Sequence, residues 1–123
     1  MRTSRRSIIG LVALLLAFSA GSQWWAGYSQ AKLGKRMSAL AGPDDIQMLS
    51  STTCAYCTVA RRWMQQHGVA FSECFIEEDP TCAARFESLR APGTPLLLVR
   101  GRAQTGFDAQ RVLDALTRGA PAS

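Results

Sequence analysis

Hydrophobic positions along this chain fall into two regimes. Residues 8–20 are almost wholly apolar, with Trp24, Trp25 and Tyr28 close behind and Arg2, Arg5 and Arg6 in front. Beyond about Asp45, short apolar runs alternate with amphipathic stretches. Residues 46–50 read as a strand that leads into the polar Ser51-Thr52-Thr53. From residue 54 a helix is predicted to about residue 66. Val59, Ala60, Trp63 and Met64 form its apolar face, Arg61, Arg62 and Gln65 lie away from it, and Gly68 caps its end. Residues 69–76 read as a second strand with Phe71 and Phe75 on one face. Asp79-Pro80 pairs an N-cap with proline at the first helical position, so a second helix covers residues 80–89. Thr94-Pro95 opens the apolar strand 96–99, Arg100-Gly101 turns tightly, and residues 103–105 return as a short edge strand. Asp108 caps a last helix with Val112, Leu113 and Leu116 inward. This β-α-β-α-β-β-α order predicts an α/β three-layer sandwich. Its four-stranded mixed sheet pairs the helix-separated first strands in parallel and the final hairpin antiparallel.

The apolar N-terminal regime admits two readings. Residues 8–28 would make about 30 Å of helix, enough to cross a bilayer core, with Trp24, Trp25 and Tyr28 as an interfacial belt. That favours an uncleaved anchor. Small residues at Ser29-Gln30-Ala31 and Ala17-Phe18-Ser19 also fit a cleaved export signal, and Ser4-Arg5-Arg6 resembles a twin-arginine one. The leading arginines outweigh Lys32, Lys35 and Arg36 only slightly, which orients the C-terminal domain outward. The expected organisation is a signal anchor or signal peptide at residues 1–31, a spacer at 32–44, a folded domain at 45–118 and a tail at 119–123. Leu33, Met37 and Leu40 give the spacer helical spacing, and Ala41-Gly42-Pro43-Asp44 ends it.

Charge changes the picture little. The net +5 over 123 residues comes from the flanks of the apolar segment, because from Asp44 onward eight basic residues meet nine acidic ones. No basic stripe with interleaved aromatics is present, so a nucleic-acid partner is not expected.

The cysteines change it most. All four lie within residues 54–82. Cys54-Ala55-Tyr56-Cys57 sets two sulfurs one helical turn apart at a strand-to-helix junction, where the helix dipole favours thiolate at the first. Thr94-Pro95, with Pro95 placed 38 residues after Cys57, narrows the motif from a half zinc site to a thiol–disulfide exchanger. Cys54 is the expected nucleophile and Cys57 the resolving thiol. Cys74 and Cys82 are an even remainder suited to an oxidising compartment. They admit a structural bridge contributing about 2–3 kcal/mol, a second redox relay, or two free thiols, and the bridge is favoured. His67 is expected to be a solvated helix-end residue, Tyr56 a groove flank or surface filler, and Arg61 and Arg62 solvent-facing with a weak steering role.

These motifs resemble those of the glutaredoxin branch of the thioredoxin superfamily. Cys54-Ala55-Tyr56-Cys57 is similar to the family's Cys-Pro-Tyr-Cys, Gly93-Thr94-Pro95 to its Thr-x-Pro region, and Thr105-Gly106-Phe107-Asp108 to its Gly-Gly-x-Asp turn. The resemblance implies a thioredoxin-like fold, a cis Pro95 against the active-site sulfurs, and substrate contacts from Tyr56, Thr94, Pro95 and Asp108. The chain departs from the pattern at Ala55, at Thr105, and at Ser51, where glutathione-using members carry Lys or Arg. Protein or low-molecular-weight thiols and disulfides are therefore the expected partners, with glutathione a possible co-substrate that these departures disfavour, and no bound cofactor or metal is expected. The expected setting is a bacterial inner membrane with the domain facing the periplasm, or a soluble periplasmic form after signal cleavage. The rival reading is a binding protein that holds soft metal or an iron–sulfur cluster on the same thiolates.

Overall fold

A computed structural model describes residues 2–118; the expected tail at 119–123 lies outside the described residues. Helix α1 (Arg2–Leu40) precedes β1 (Ile46–Ser50), α2 (Ala55–Gln66), β2 (Ser72–Phe75), α3 (Pro80–Ser88), β3 (Leu96–Val99), β4 (Arg102–Thr105) and α4 (Ala109–Thr117). The chain divides into two units between Lys32 and Leu33.

In the first unit, Ile8, Leu14, Leu16, Phe18, Trp24 and Trp25 are all exposed. By length and composition this helix can cross a membrane. It is a candidate anchor or signal sequence.

In the second unit the sheet order is β2-β1-β3-β4. β1 pairs β2 in parallel, with Leu49 opposite Cys74, and pairs β3 antiparallel, with Met48 opposite Leu97. β3 and β4 form the hairpin. Side chains alternate across the sheet, so the two faces carry separate cores. Ile46, Met48, Leu97 and Val99 pack with Ala60 and Met64 of α2 and with Val112, Leu113 and Leu116 of α4. Leu49, Leu96 and Leu98 pack on the other face with Cys82 and Phe86 of α3.

Two boundaries differ from the sequence expectation. Met37 is fully buried in the first core, and Leu33 and Ala41 pack against it. The segment expected to be a spacer therefore supplies a wall of the domain, which begins at Leu33 rather than Asp45. The second strand is also shorter than residues 69–76. Val69 stays buried in the core, but its N–H bonds to the Met64 carbonyl instead of a neighbouring strand.

The hairpin turn is fastened from three sides. Arg100 and Gly101 both take positive φ, at 49° and 83°. That pairing suits the twist of a two-residue hairpin loop. The Arg100 amide donates to the Asp45 carbonyl (2.7 Å), and its guanidinium donates to the Leu116 carbonyl at the end of α4 (2.7 Å). Its Nε also lies 3.4 Å from the Asp45 carboxylate. A backbone N–H from Gly42, against the opposing effect of burial and with help from Arg100, holds the Asp45 carboxyl below its ordinary range.

The register fixes where chemistry can gather. The parallel strands β1 and β2 finish at the same edge of the sheet, and antiparallel β3 starts there. Ser51, Ile76 and Pro95 consequently meet at one edge.

Candidate active site

At that edge β1 ends in buried Ser50, and the chain turns through Ser51-Thr52-Thr53 before α2 begins. The Cys54 amide donates to the Ser51 carbonyl at 3.2 Å and closes the turn. Cys54 is the N-cap of α2 in extended backbone conformation, and its Sγ accepts the Cys57 N–H at 3.0 Å. A helix start leaves N–H groups without partners, and here one of them is aimed at a sulfur. The pair is joined as a disulfide with Cα atoms 5.3 Å apart. Their environments differ, because Cys57 is completely buried while Cys54 is half-buried.

Beside α2's first turn lies a cavity of about 550 Å³. Tyr56, Thr94, Pro95 and Asp108, the expected substrate-binding set, all line it together with Val59 and Phe107. Thr94-Pro95 is a cis peptide, and the Pro95 carbonyl accepts the Gly106 amide at 2.8 Å. The strand carrying Pro95 is thereby tied to the turn before α4. Asp108 caps α4 through an acceptor bond from the Arg111 N–H (3.0 Å). Tyr56 is largely exposed.

Several side chains sit elsewhere than their pattern suggested. Val59, assigned to the inner face of α2, is 62% exposed and opens onto the cavity, while Cys57, Ala60 and Met64 form the buried stripe. Arg61 is only partly exposed. Its guanidinium grips Glu73 of β2 through Nε at 2.6 Å and Nη2 at 2.7 Å, and lies over the Phe75 ring. Ser50 donates to the same carboxylate at 2.6 Å. Burial pushes the Glu73 carboxyl up, but Arg61 and Ser50 outweigh it and hold the group below its ordinary value of 4.5. His67 is half-buried, stacks on Trp63 with ring centroids 4.1 Å apart, and shares a 2.7 Å Nδ1 contact with the Trp63 carbonyl. A Cβ on Gly34 would collide with its ring, so the packing there requires glycine.

Cys74 and Cys82 are joined as a second disulfide, with Cα atoms 6.1 Å apart, between β2 and α3. Between them runs Glu77, which sequence reasoning missed. Its carboxylate accepts from the Ser51 hydroxyl and from the Thr52 N–H at 3.1 Å. The separation of 25–26 residues leaves no local signal. Only the parallel pairing of β1 with β2 brings the two turns together.

Residues 46–103 match the family model described as glutaredoxin. Over that stretch the chain is similar to glutaredoxins. Solved structures agree on the fold. A variant of a thioredoxin-like protein superposes with TM-score 0.54 at 19% identity, covering 60% of this chain and 96% of that one. The glutaredoxin from Methanosarcina mazei Go1 gives 0.51 at 18% identity, covering 62% and 81%. Buckwheat glutaredoxin, solved in complex with glutathione, gives 0.50 at 18% identity, covering 73% and 93%. A search of curated proteins returned no match. The domain thus has the thioredoxin-like fold, and its Cys54–Cys57 pair is the kind of dithiol on which thiol–disulfide oxidoreductases work.

Proposed function

We propose that this protein is a thiol–disulfide oxidoreductase in which Cys54 exchanges with partners and Cys57 resolves the intermediate. The observation that carries this reading is the asymmetry of the pair. The sulfur within reach of solvent is also the one that receives a helix N–H, whereas its mate is sealed in the core. A helix start lowers a thiol from an unperturbed pKa of about 8.5, so more of Cys54 is the reactive thiolate at neutral pH.

In the reducing direction, the Cys54 thiolate attacks a partner disulfide. A Cys54–partner bond forms and the partner's other sulfur leaves as thiolate. Cys57, losing its proton, then attacks Cys54 Sγ. The Cys54–Cys57 disulfide closes and the partner leaves as its thiol. Two electrons pass from the dithiol to the partner, and an external thiol donor must restore them. The oxidising direction is the same sequence reversed. No bound cofactor takes part, since the electrons travel in the two sulfurs.

The cavity beside Tyr56, Thr94 and Pro95 would hold the chain flanking a partner's cysteine, with Asp108 on its wall. Protein thiols are the partners we propose ahead of glutathione. The N-terminal helix would hold the domain at an inner membrane, on the periplasmic side, where disulfides persist. Cys54→Ser in the detergent-solubilised full chain should abolish exchange with a peptide disulfide, while Cys57→Ser should accumulate a mixed disulfide at Cys54. Equal activity in Cys54→Ser and wild type would end this reading. Thiolate-bound metal or iron–sulfur in the freshly purified protein, without exchange, would establish the soft-metal alternative.

A further inference from the structure

The turn that delivers Cys54 to α2 has a carboxylate fastened to its flank. Glu77 reaches across from the segment after β2 to the Ser51 hydroxyl and the Thr52 N–H. Those residues belong to the turn that the Cys54 amide closes on the Ser51 carbonyl. The segment holding Glu77 is itself pinned. The Ile76 amide donates to the Ser50 carbonyl (3.0 Å), the Asp79 amide donates to the Phe75 carbonyl (2.9 Å), and the Cys74–Cys82 disulfide ties the two ends.

The charge on Glu77 is not neutralised. Both of its partners are uncharged, and among the described residues the ion pairs are Arg61–Glu73 and Arg100–Asp45. Glu73 is covered by Arg61, the exposed Asp79 is engaged in capping α3 through the Thr81 and Cys82 amides, and Glu78 is exposed beside Glu77. On the cavity wall Asp108 and Arg111 offset each other in sign. The Ser51 hydroxyl, with a smaller opposing effect of burial and help from the Thr52 N–H, holds the Glu77 carboxyl below its ordinary value of 4.5. It is ionised at neutral pH.

We infer that Glu77 is a specificity-determining residue, biasing exchange at Cys54 toward cationic thiol and disulfide partners and against acidic ones, glutathione among them. The inference deepens the exchange reading above and rests on it. Glu77 accepts from the Thr52 N–H, two residues before Cys54, so a partner held at Cys54 brings its charge toward that carboxylate, where opposite charges attract and like charges repel. The cavity beside α2, whose lining does not include Glu77, is walled by Tyr56, Val59, Pro95 and Phe107 and is mainly apolar. The favoured partner segment therefore carries both an apolar residue and a Lys or Arg close to its cysteine.

Three disulfides of similar size test this on the reduced full chain in detergent: cystamine (cationic), hydroxyethyl disulfide (neutral) and dithiodipropionate (anionic). The quantity read is the ratio of single-turnover rates, cationic over anionic, which cancels any change in the thiolate fraction of Cys54. Wild type should favour cystamine by about ten-fold at low ionic strength, and salt should shrink that preference. Glu77→Gln, which keeps an acceptor for Ser51 and Thr52, should lower the ratio about three-fold or more and leave the neutral rate within about two-fold. Glu77→Lys should invert it. A purely structural role would move all three rates together and leave the ratio intact. An unchanged ratio in Glu77→Gln, with the neutral probe still reacting, overturns the inference alone. A wild-type protein inert toward the neutral probe overturns the exchange reading beneath it.

Discussion

The two disulfides of this domain begin alike and differ in what caps the helix beside them. Cys54 is itself the N-cap of α2, and its sulfur takes the Cys57 N–H. Cys82 sits in the first turn of α3, but the cap there is Asp79, whose carboxylate takes the Thr81 and Cys82 amides at 2.9 and 3.2 Å. What a helix start offers an anion is a set of unused N–H donors and the positive end of the dipole. At α2 they are left for a thiolate, and at α3 a carboxylate has already taken them. Burial separates the pairs further. Cys82 is 3% exposed and packs with Leu49, Leu96 and Leu98, while Cys54 is only half-buried, two residues before Tyr56 on the cavity wall. On the exchange reading proposed above, the pair at α2 has the open helix start that the pair at α3 lacks.

The most drastic way to break this comparison is to exchange the roles. Cys54→Ser should lose essentially all disulfide exchange, whereas the double variant Cys74→Ala with Cys82→Ala should keep turnover within a few-fold of wild type. The check is release of a fluorescent peptide from a mixed disulfide. The converse result would make the buried pair the exchanging one. The same double variant should lose about 2–3 kcal/mol of stability, by the chain-entropy account of a nine-residue loop, read as a lower urea midpoint. Opening the Cys54–Cys57 pair should cost less, because it closes only a four-residue loop.

Asp79→Ala sharpens the contrast at the cap. It removes an acceptor from two amides and should cost about 1 kcal/mol, with Asp79→Asn costing less, since the amide oxygen still accepts. Exchange at Cys54 should be unchanged in both.

The smallest effect concerns acid. Glu73 precedes Cys74 on β2 and holds Arg61 of α2, so it joins the two regions. Its carboxyl is lowered in the folded state. The stabilisation is thus present above the ordinary value near 4.5 and is lost as pH falls through the lower folded value. Glu73→Gln should be less stable than wild type at neutral pH, and the gap should narrow as pH drops below about 4.5. A gap that does not narrow would show that Glu73 acts through shape alone.

Local signals carried most of the fold into the sequence. Asp79-Pro80, Asp108 and Arg100-Gly101 each announce a helix start or a turn within a few residues, and all three occur where the pattern put them. The cysteine motif and Thr94-Pro95 were readable for the same reason, and the fold brings Tyr56, Thr94, Pro95 and Asp108 to one cavity. Periodicity did not say which edge of α2's apolar stripe would be covered, so Val59 was placed inside and is exposed. Met37 could not be seen as core, because the cluster it joins is built by Met64, Val112 and Leu116 from distant elements. The Arg61–Glu73 and Ser51–Glu77 contacts depend on strand register, which no short window contains.

The central claim is that Cys54 is the reactive sulfur because it alone caps a helix. Its most direct test is the pH dependence of alkylation after both disulfides of the full chain are reduced, with each cysteine quantified by peptide mass mapping. Cys54 should react first, with an apparent pKa below the unperturbed value of about 8.5, while Cys57, Cys74 and Cys82 lag at every pH. Faster alkylation of Cys57 or Cys82 than of Cys54 near neutral pH would contradict it.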